Sequence, residues 1–276
     1  MRSDSIDSTI DFQILWPQIV PGQHASHIMD THYDTIGVNY AHTRRPDPRI
    51  AKQILSALGN CQSVVNVGAG TGSYEPADRM VVAVEPSTAM IGQRTGALPL
   101  VIQANAESLP LTENAVDAAL AILTLHHWAD KQHGLEEMRR VARNRIVILT
   151  WDQSVWEDYR LIRDYLPGIA GIDRKRAVAI ADIVSLLGDC RIMPVPIPYD
   201  CLDGFHGAYW RRPEAYLDEE VRAGISTYAH MPQAELETGL RHLARDIDSG
   251  KWAEKNRDLL DRNELDIGYR LIIADI

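Results

Sequence analysis

The sequence predicts an α/β fold organised around a mostly parallel, buried sheet, and three observations predict it. The first is the stretch VVNVGAGTGSYE, Val64 to Glu75, where the apolar run Val64–Val67 enters a turn built from Gly68, Gly70 and Gly72. Its β-branched bias is that of a central strand buried on both faces. The second is Val81-Val82-Ala83-Val84-Glu85, another buried run that ends on an acid. The third is recurrence: Val116–Leu123 and Arg145–Thr150 are further strand-like runs, separated by a helical segment, Lys131 to Arg143, with Leu135, Met138 and Val141 on one face. Strands alternating with helices argue for parallel crossover units.

The glycine turn carries the chemistry. Glycine lets the backbone turn sharply and approach a ligand that a Cβ would block. Gly68-Ala69-Gly70-Thr71-Gly72 has the spacing GxGxG, and Ser73 stands where the dinucleotide fingerprint GxGxxG has its last glycine. The Lys-Ser/Thr pair of a P-loop is absent. Glu85 follows Gly68 by seventeen positions, about the length of a strand–turn–strand return. A carboxylate there can accept hydrogen bonds from both hydroxyls of a ribose. The segment VIQANAESLPL, Val101 to Leu111, comes next, and the fourth run ends in Thr124-Leu125-His126-His127-Trp128.

In the order and spacing of these four motifs, from about Tyr33 to Asp152, the sequence resembles the class I S-adenosylmethionine (SAM)-dependent methyltransferases, in particular their small-molecule group. The resemblance implies a Rossmann-like sheet with an antiparallel last strand, and SAM as cofactor. It implies that Gly68, Gly70 and Gly72, with Asn66 and Ala69, line the methionine part. Glu85 and its neighbour Pro86 would hold the ribose, Asn105 and Ala106 would meet the adenine, and Leu123 would lie beside the cofactor. Upstream, YDTIGVNYAHTRR places Tyr33, Tyr40 and Arg44 where relatives fold over SAM and an Arg or Tyr contacts the methionine carboxylate. Arg suits that task because its fork pairs bidentately with a carboxylate. A solvated basic turn is the alternative. Two positions depart from the family pattern: Asn66 replaces the usual Asp or Glu, and Asn105 replaces a more common Asp. The amide oxygen of Asn can still accept. The segment from Gly72 to Val81 is short and contains Pro76, so a single helical turn is expected there.

Composition bounds the partners. The 276 residues fit one domain with an appended lid. The net charge of −10 argues against nucleic acid, which would call for a basic stripe. Cys61, Cys190 and Cys201 lack metal spacing, and an odd count points to a reduced, cytoplasmic setting. No apolar run approaches the ~20 residues of a membrane span, and the amino terminus lacks a signal-peptide pattern.

Residues 1–32 form an apolar arm, with Phe12, Leu15, Trp16, Ile19 and Val20 interrupted by Pro17 and Pro21. It is expected to pack on its own domain or on a second subunit, which would make a homo-oligomer; the alternative is part of a substrate lid. Residues 33–198 with 268–276 form the SAM-binding core. Asp47 and Pro48 start a helix whose stripe is Ile50, Ile54 and Leu58 and which Gly59 ends. Helices are expected at about Val155–Tyr165 and Arg174–Leu187, an edge strand at Arg191–Pro198, and a last strand at Tyr269–Ala274. Residues 199–267, inserted before that strand, read as a helical cap over the acceptor pocket, with helices near Pro213–Tyr228, Pro232–Ile247 and Trp252–Leu260. A purely structural subdomain is the alternative.

Methyl transfer to an O–H acceptor is helped by a general base. His126, His127 and Asp152 all sit at carboxyl ends of strands, where ligands bind in open α/β sheets. The expected arrangement has one histidine as base and Asp152 orienting it, as some small-molecule O-methyltransferases of this superfamily do. The alternative is that the histidines only pack on the cofactor. Trp128, Trp151, His206, Tyr209 and Trp210 are candidate contacts for an aromatic, isoprenoid or other partly apolar small-molecule acceptor, or else packing residues of the cap. The residues do not choose between O- and C-methylation. Asn66 keeps open a SAM-binding protein without transferase activity, whereas the GxGxG spacing and the Asn105 segment argue against a nicotinamide-dependent dehydrogenase.

Overall fold

A computed structural model describes residues 43–94 and 100–276. The arm over residues 1–32, Tyr33 and Tyr40 lie outside the described residues. The sheet has seven strands: β1 (Ser63–Val67), β2 (Met80–Val84), β3 (Leu100–Ile102), β4 (Val116–Ile122), β5 (Ala142–Trp151), β6 (Cys190–Pro194) and β9 (Tyr269–Asp275), in the order β3-β2-β1-β4-β5-β9-β6. Strands β3 through β5 are parallel, and β9 lies antiparallel between β5 and β6. Two short strands, β7 (Ile197–Pro198) and β8 (Glu264–Leu265), form a separate antiparallel pair.

Each central strand is buried on both faces, which explains its unbroken apolar run. Alternation sends Val64 to one layer and Val65 to the other. The first layer takes α1 (Pro48–Leu58), whose Ile50, Ile54 and Leu58 meet the sheet, and most of the chain after β5. The second takes α3 (Lys131–Val141) through Leu135, Met138 and Val141. Helix α1 starts as its sequence predicts: Asp47 Oδ1 accepts from the backbone N–H of Arg49 at 2.9 Å, Pro48 fills the first position, and Gly59 at φ 56° ends it. No helix forms between β1 and β2; the next one is α2 (Thr88–Gly92).

The edge strand expected over 191–198 is β6, which bonds only to β9, so the prolines need not donate within the sheet. Longer helices break up. The expected 155–165 helix is two, α4 (Gln153–Trp156) and α5 (Arg160–Tyr165). The next segment is α6 (Gly168–Arg176) and α7 (Ile180–Leu187), separated at Ala177–Ala179. Residues 213–230 are three short helical turns, and 251–260 are two. Helix α9 (Gln233–Asp248), after α8 (Glu219–Ala223), is the long regular one of the insertion, with Leu236 and Leu243 buried.

The antiparallel β9 decides where the insertion goes. Pro194, at the carboxyl end of β6, pairs with Arg270, and Tyr269 pairs with Trp151 at the carboxyl end of β5. The chain therefore leaves and re-enters the sheet at one edge, and it is the edge that the carboxyl ends of β1, β4 and β5 share. A buried polar cluster ties the insertion to the segment before α1. Asp203 is fully buried, pairs with Arg44 at 2.6 Å and accepts from the Tyr74 hydroxyl at 2.9 Å. Arg44 and Asp203 also form a backbone bridge.

Removing one partner of such a buried pair strands the other charge. Asp203→Ala is expected to lower the unfolding free energy by about 3–5 kcal/mol in urea titration. A loss below about 1 kcal/mol would show that the cluster does not hold the insertion down.

Candidate active site

The glycine turn lies where β1 ends. The N–H groups of Gly68 and Ala69 both donate to the Val84 carbonyl, which docks the turn on β2. Gly68 sits at φ 67°, and a Cβ there would fall 2.0 Å from Thr124 Oγ1, so only glycine fits. At Gly70, φ 53°, no atom of the described residues lies within 4 Å of where its Cβ would be. Glu85, at the end of β2, is 5% exposed. Its carboxylate accepts from Gly70 N–H at 2.7 Å and Ser87 N–H at 2.9 Å. The Pro86 carbonyl accepts from Gln103 Nε2 at 3.0 Å, which brings the β2 turn against the loop of half-buried Asn105 and buried Ala106.

Asn66 has an arrangement that the sequence did not announce. Its Nδ2 donates to Glu75 Oε1 at 3.0 Å, Glu75 pairs with buried Arg94 at 2.6 Å, and Arg94 also donates to the Gly70 carbonyl at 3.1 Å. Asn66 Oδ1 is buried with no partner among the described residues. An open cradle at Gly70, a strand-end acid and an orphaned acceptor beside the turn fit a nucleoside cofactor with an ammonium group. Arg44 is held by Asp203 and lines a second space, so the structure places it at the neighbouring pocket.

That pocket opens at the ends of β4 and β5 and comprises about 460 Å3 of space, open solvent included. It is lined by Leu123, His126, Trp151, Trp156, Asp173, Phe205, His206 and Thr227, among others. Leu123 has φ 50°, a left-handed conformation that costs an ordinary residue about 1–3 kcal/mol. Its N–H donates to the Leu149 carbonyl at 2.8 Å, which fixes the bend. Leu123 faces the pocket and Thr124 abuts Gly68, so one dipeptide separates the glycine turn from the pocket.

The sequence candidates divide sharply. His126 lines the pocket with its ring 4.9 Å from Trp151 and 3.8 Å from His127, and its Nδ1 has no partner among the described residues. His127 turns aside, with Nδ1 3.4 Å from an Arg176 nitrogen. Asp152 does not orient either histidine. Its Oδ1 accepts from the Ser154 N–H at 3.0 Å and Oγ at 2.7 Å, capping α4. Trp151 and His206 line the pocket. Trp128 does not: it packs in the opposite layer, against Gly134. Trp210 is also structural, its Nε1 donating to the Ile197 carbonyl at 2.9 Å within the core. Tyr209 packs on Tyr216 and Arg212 outside the pocket lining. Sequence reasoning missed Trp156, Asp173 and Thr227. Asp173 accepts from Trp156 Nε1 at 2.8 Å and Thr227 Oγ1 at 3.0 Å, and burial raises its pKa. One signal was present: Asp173 follows Ile169 by four residues, on the buried stripe of α6.

Burial pushes the His206 pKa down to about 3. Burial also holds His126 well below its usual 6.5, with the charges of His127, Arg176 and Arg44 acting in the same direction. Both imidazoles are therefore neutral at neutral pH.

Comparisons with known proteins give the chain a family. Residues 65–149 match the family model described as a methyltransferase domain. A crystal structure from Anabaena variabilis, described as a methyltransferase from an antibiotic biosynthesis pathway, is 35% identical with TM-score 0.78, over 85% of this chain and 99% of that one. Geranyl diphosphate C-methyltransferase from Streptomyces coelicolor has TM-score 0.46 at 16% identity, over 83% and 78% of the two chains. Magnesium protoporphyrin IX methyltransferase from Synechocystis, with bound SAM, has TM-score 0.39 at 18% identity, over 54% and 70%. No curated protein matches. The chain belongs to the class I SAM-dependent methyltransferases. It is an enzyme that uses SAM to methylate a small-molecule acceptor. Among the described residues, no helix is long and apolar enough to cross a membrane.

Two outcomes follow. Glu85→Ala removes a charged acceptor, a loss of roughly 1.5–3 kcal/mol, or about tenfold to a hundredfold in SAM affinity by calorimetry. Unchanged affinity in a folded variant would refute Glu85 as a cofactor contact. For His206, the folded pKa lies below the unfolded value of about 6.5, so the unfolded chain binds the extra proton and stability falls as pH drops below about 6.5. Between pH 7 and 5 the wild type should lose about 2 kcal/mol more than His206→Phe in urea unfolding. Equal losses would contradict a buried neutral His206.

Proposed function

We propose that this enzyme is an O-methyltransferase for a partly apolar, aromatic small molecule, with His126 as the general base. The observation that carries it is the shared wall: Thr124 meets the glycine turn while Leu123 and His126 face the pocket. SAM, when bound, supplies an activated methyl group on sulfur. The residues assigned to hold it are Asn66, Gly68, Ala69, Gly70, Glu85, Pro86, Asn105 and Ala106.

The protein then has three tasks. It must hold the acceptor hydroxyl at the Leu123 side of the pocket, since orientation supplies much of the rate. Trp151, Trp156 and Phe205 give the apolar walls for a ring. It must keep water out, and residues 199–267 do so as a cap, through Phe205, His206 and Thr227. It must also take a proton. A ring nitrogen of His126 would take the proton of the acceptor hydroxyl, leaving the oxygen free to receive the methyl group that SAM would supply. A base with a depressed pKa suits an acidic hydroxyl such as a phenol better than an alkyl alcohol.

With the best acceptor from a panel of hydroxylated aromatic compounds, followed by labelled methyl transfer, His126→Ala is expected to reduce kcat by about 10²–10⁴-fold and to leave SAM affinity unchanged. Asp152→Ala should retain near-normal kcat. The acidic limb of the wild-type pH profile should lie well below 6.5, because burial keeps His126 unprotonated. A near-normal kcat for His126→Ala, or methyl found on carbon by product NMR, would refute the assignment.

A further inference from the structure

Beyond His126, the wall formed by the insertion holds polar groups that no described residue satisfies. His206 lines the pocket, is 6% exposed, and neither ring nitrogen has a partner among the described residues. A buried imidazole with both nitrogens unmet is costly, and native cores rarely keep one. The Tyr228 hydroxyl, whose ring is 5.2 Å from that of His206, is buried and equally unmet. So is Nε1 of Trp151 in the pocket wall. These deficits are not careless packing. The Tyr216 hydroxyl donates to the His206 carbonyl and meets the Tyr159 hydroxyl at 2.8 Å, fixing the backbone of His206. Trp156 packs edge-on against His206 at 5.1 Å, and Asp173 holds its indole from the far side. The imidazole is thus clamped while its nitrogens are left unanswered.

We propose that His206 forms a second polar subsite, reading a neutral hydroxyl of the acceptor remote from the one that is methylated. This rests on the reading that the pocket holds the acceptor. A hydroxyl suits a neutral imidazole because it can donate to the bare nitrogen or accept from the N–H. An ammonium is a poorer match: among the described residues Asp173 is the one carboxylate in the lining, and both its oxygens already accept hydrogen bonds. An anion is a poorer match too, since Arg44 is committed to Asp203. The acceptor class is therefore an uncharged aromatic molecule with at least two separated hydroxyls.

The test uses SAH-loaded protein and calorimetry with 2-naphthol and the 1,5-, 2,6- and 2,7-dihydroxynaphthalenes. At least one diol should bind the wild type at least tenfold more tightly than 2-naphthol. In His206→Phe that preference should fall below twofold, with Tm equal or higher, because two unmet nitrogens are gone. His206→Leu gives the same reading should Phe crowd the aromatic ring set. A preference that persists in both variants, or a fall in Tm in both, would make His206 a packing residue and overturn the proposal. Equal binding of diols and 2-naphthol to the wild type would overturn it and leave the pocket reading standing. Binding of none of the four would overturn both.

Discussion

The antiparallel pairing of Tyr269 with Trp151 is the constraint on which the rest of the architecture depends. The five other strands up to β5 run one way, so their carboxyl ends share one edge. A last strand running the other way must begin at that edge. Seventy-odd residues between β6 and β9 are consequently delivered over the glycine turn's side of the sheet, with no crossover needed. Trp151 faces the pocket while its backbone is locked to Tyr269, and Tyr269 in turn lines the same pocket. Position and chemistry are therefore coupled through backbone hydrogen bonds, which are harder to perturb than side-chain packing.

Electrostatics follow from that closure. Three buried charges around the glycine turn and the pocket are matched: Arg44 by Asp203, Arg94 by Glu75, and Asp173 by two neutral donors. Unpaired charge at such depth would cost several kcal/mol. Among the described residues, Nδ1 of His126, both ring nitrogens of His206 and Nε1 of Trp151 line the pocket or sit in its wall without a partner, and the nearby Tyr228 hydroxyl is likewise unmet. Beside Arg44 and Asp173, whose charges are already paired or hydrogen-bonded, the pocket thus presents apolar walls and a few neutral hydrogen-bonding groups.

Much of this was legible in the sequence, for reasons that can be named. The turn at Gly68 and the acid at Glu85 are backbone requirements, and the strands around them are continuous apolar runs. Asp47-Pro48 and the stripe of Ile50 and Ile54 wrote α1 directly. What failed depended on direction or on competition. Trp128 and Trp210 looked like site aromatics, but Trp128 packs in the opposite layer and Trp210, in the pocket's own layer, is tied to the Ile197 carbonyl. Asp152 was captured by the helix it caps, an outcome foreshadowed by Ser154 two residues on. Trp156, Asp173 and Thr227 come from short helices and turns without a long period, so no pattern joined them before the fold did.

The measurement that tests the account most directly is a crystal structure of the protein with S-adenosylhomocysteine. The account predicts the ribose on Glu85 and the homocysteine sulfur directed past Leu123 toward His126 and the pocket. A sulfur directed away from Leu123, toward the layer that holds Trp128 and Gly134, would contradict it.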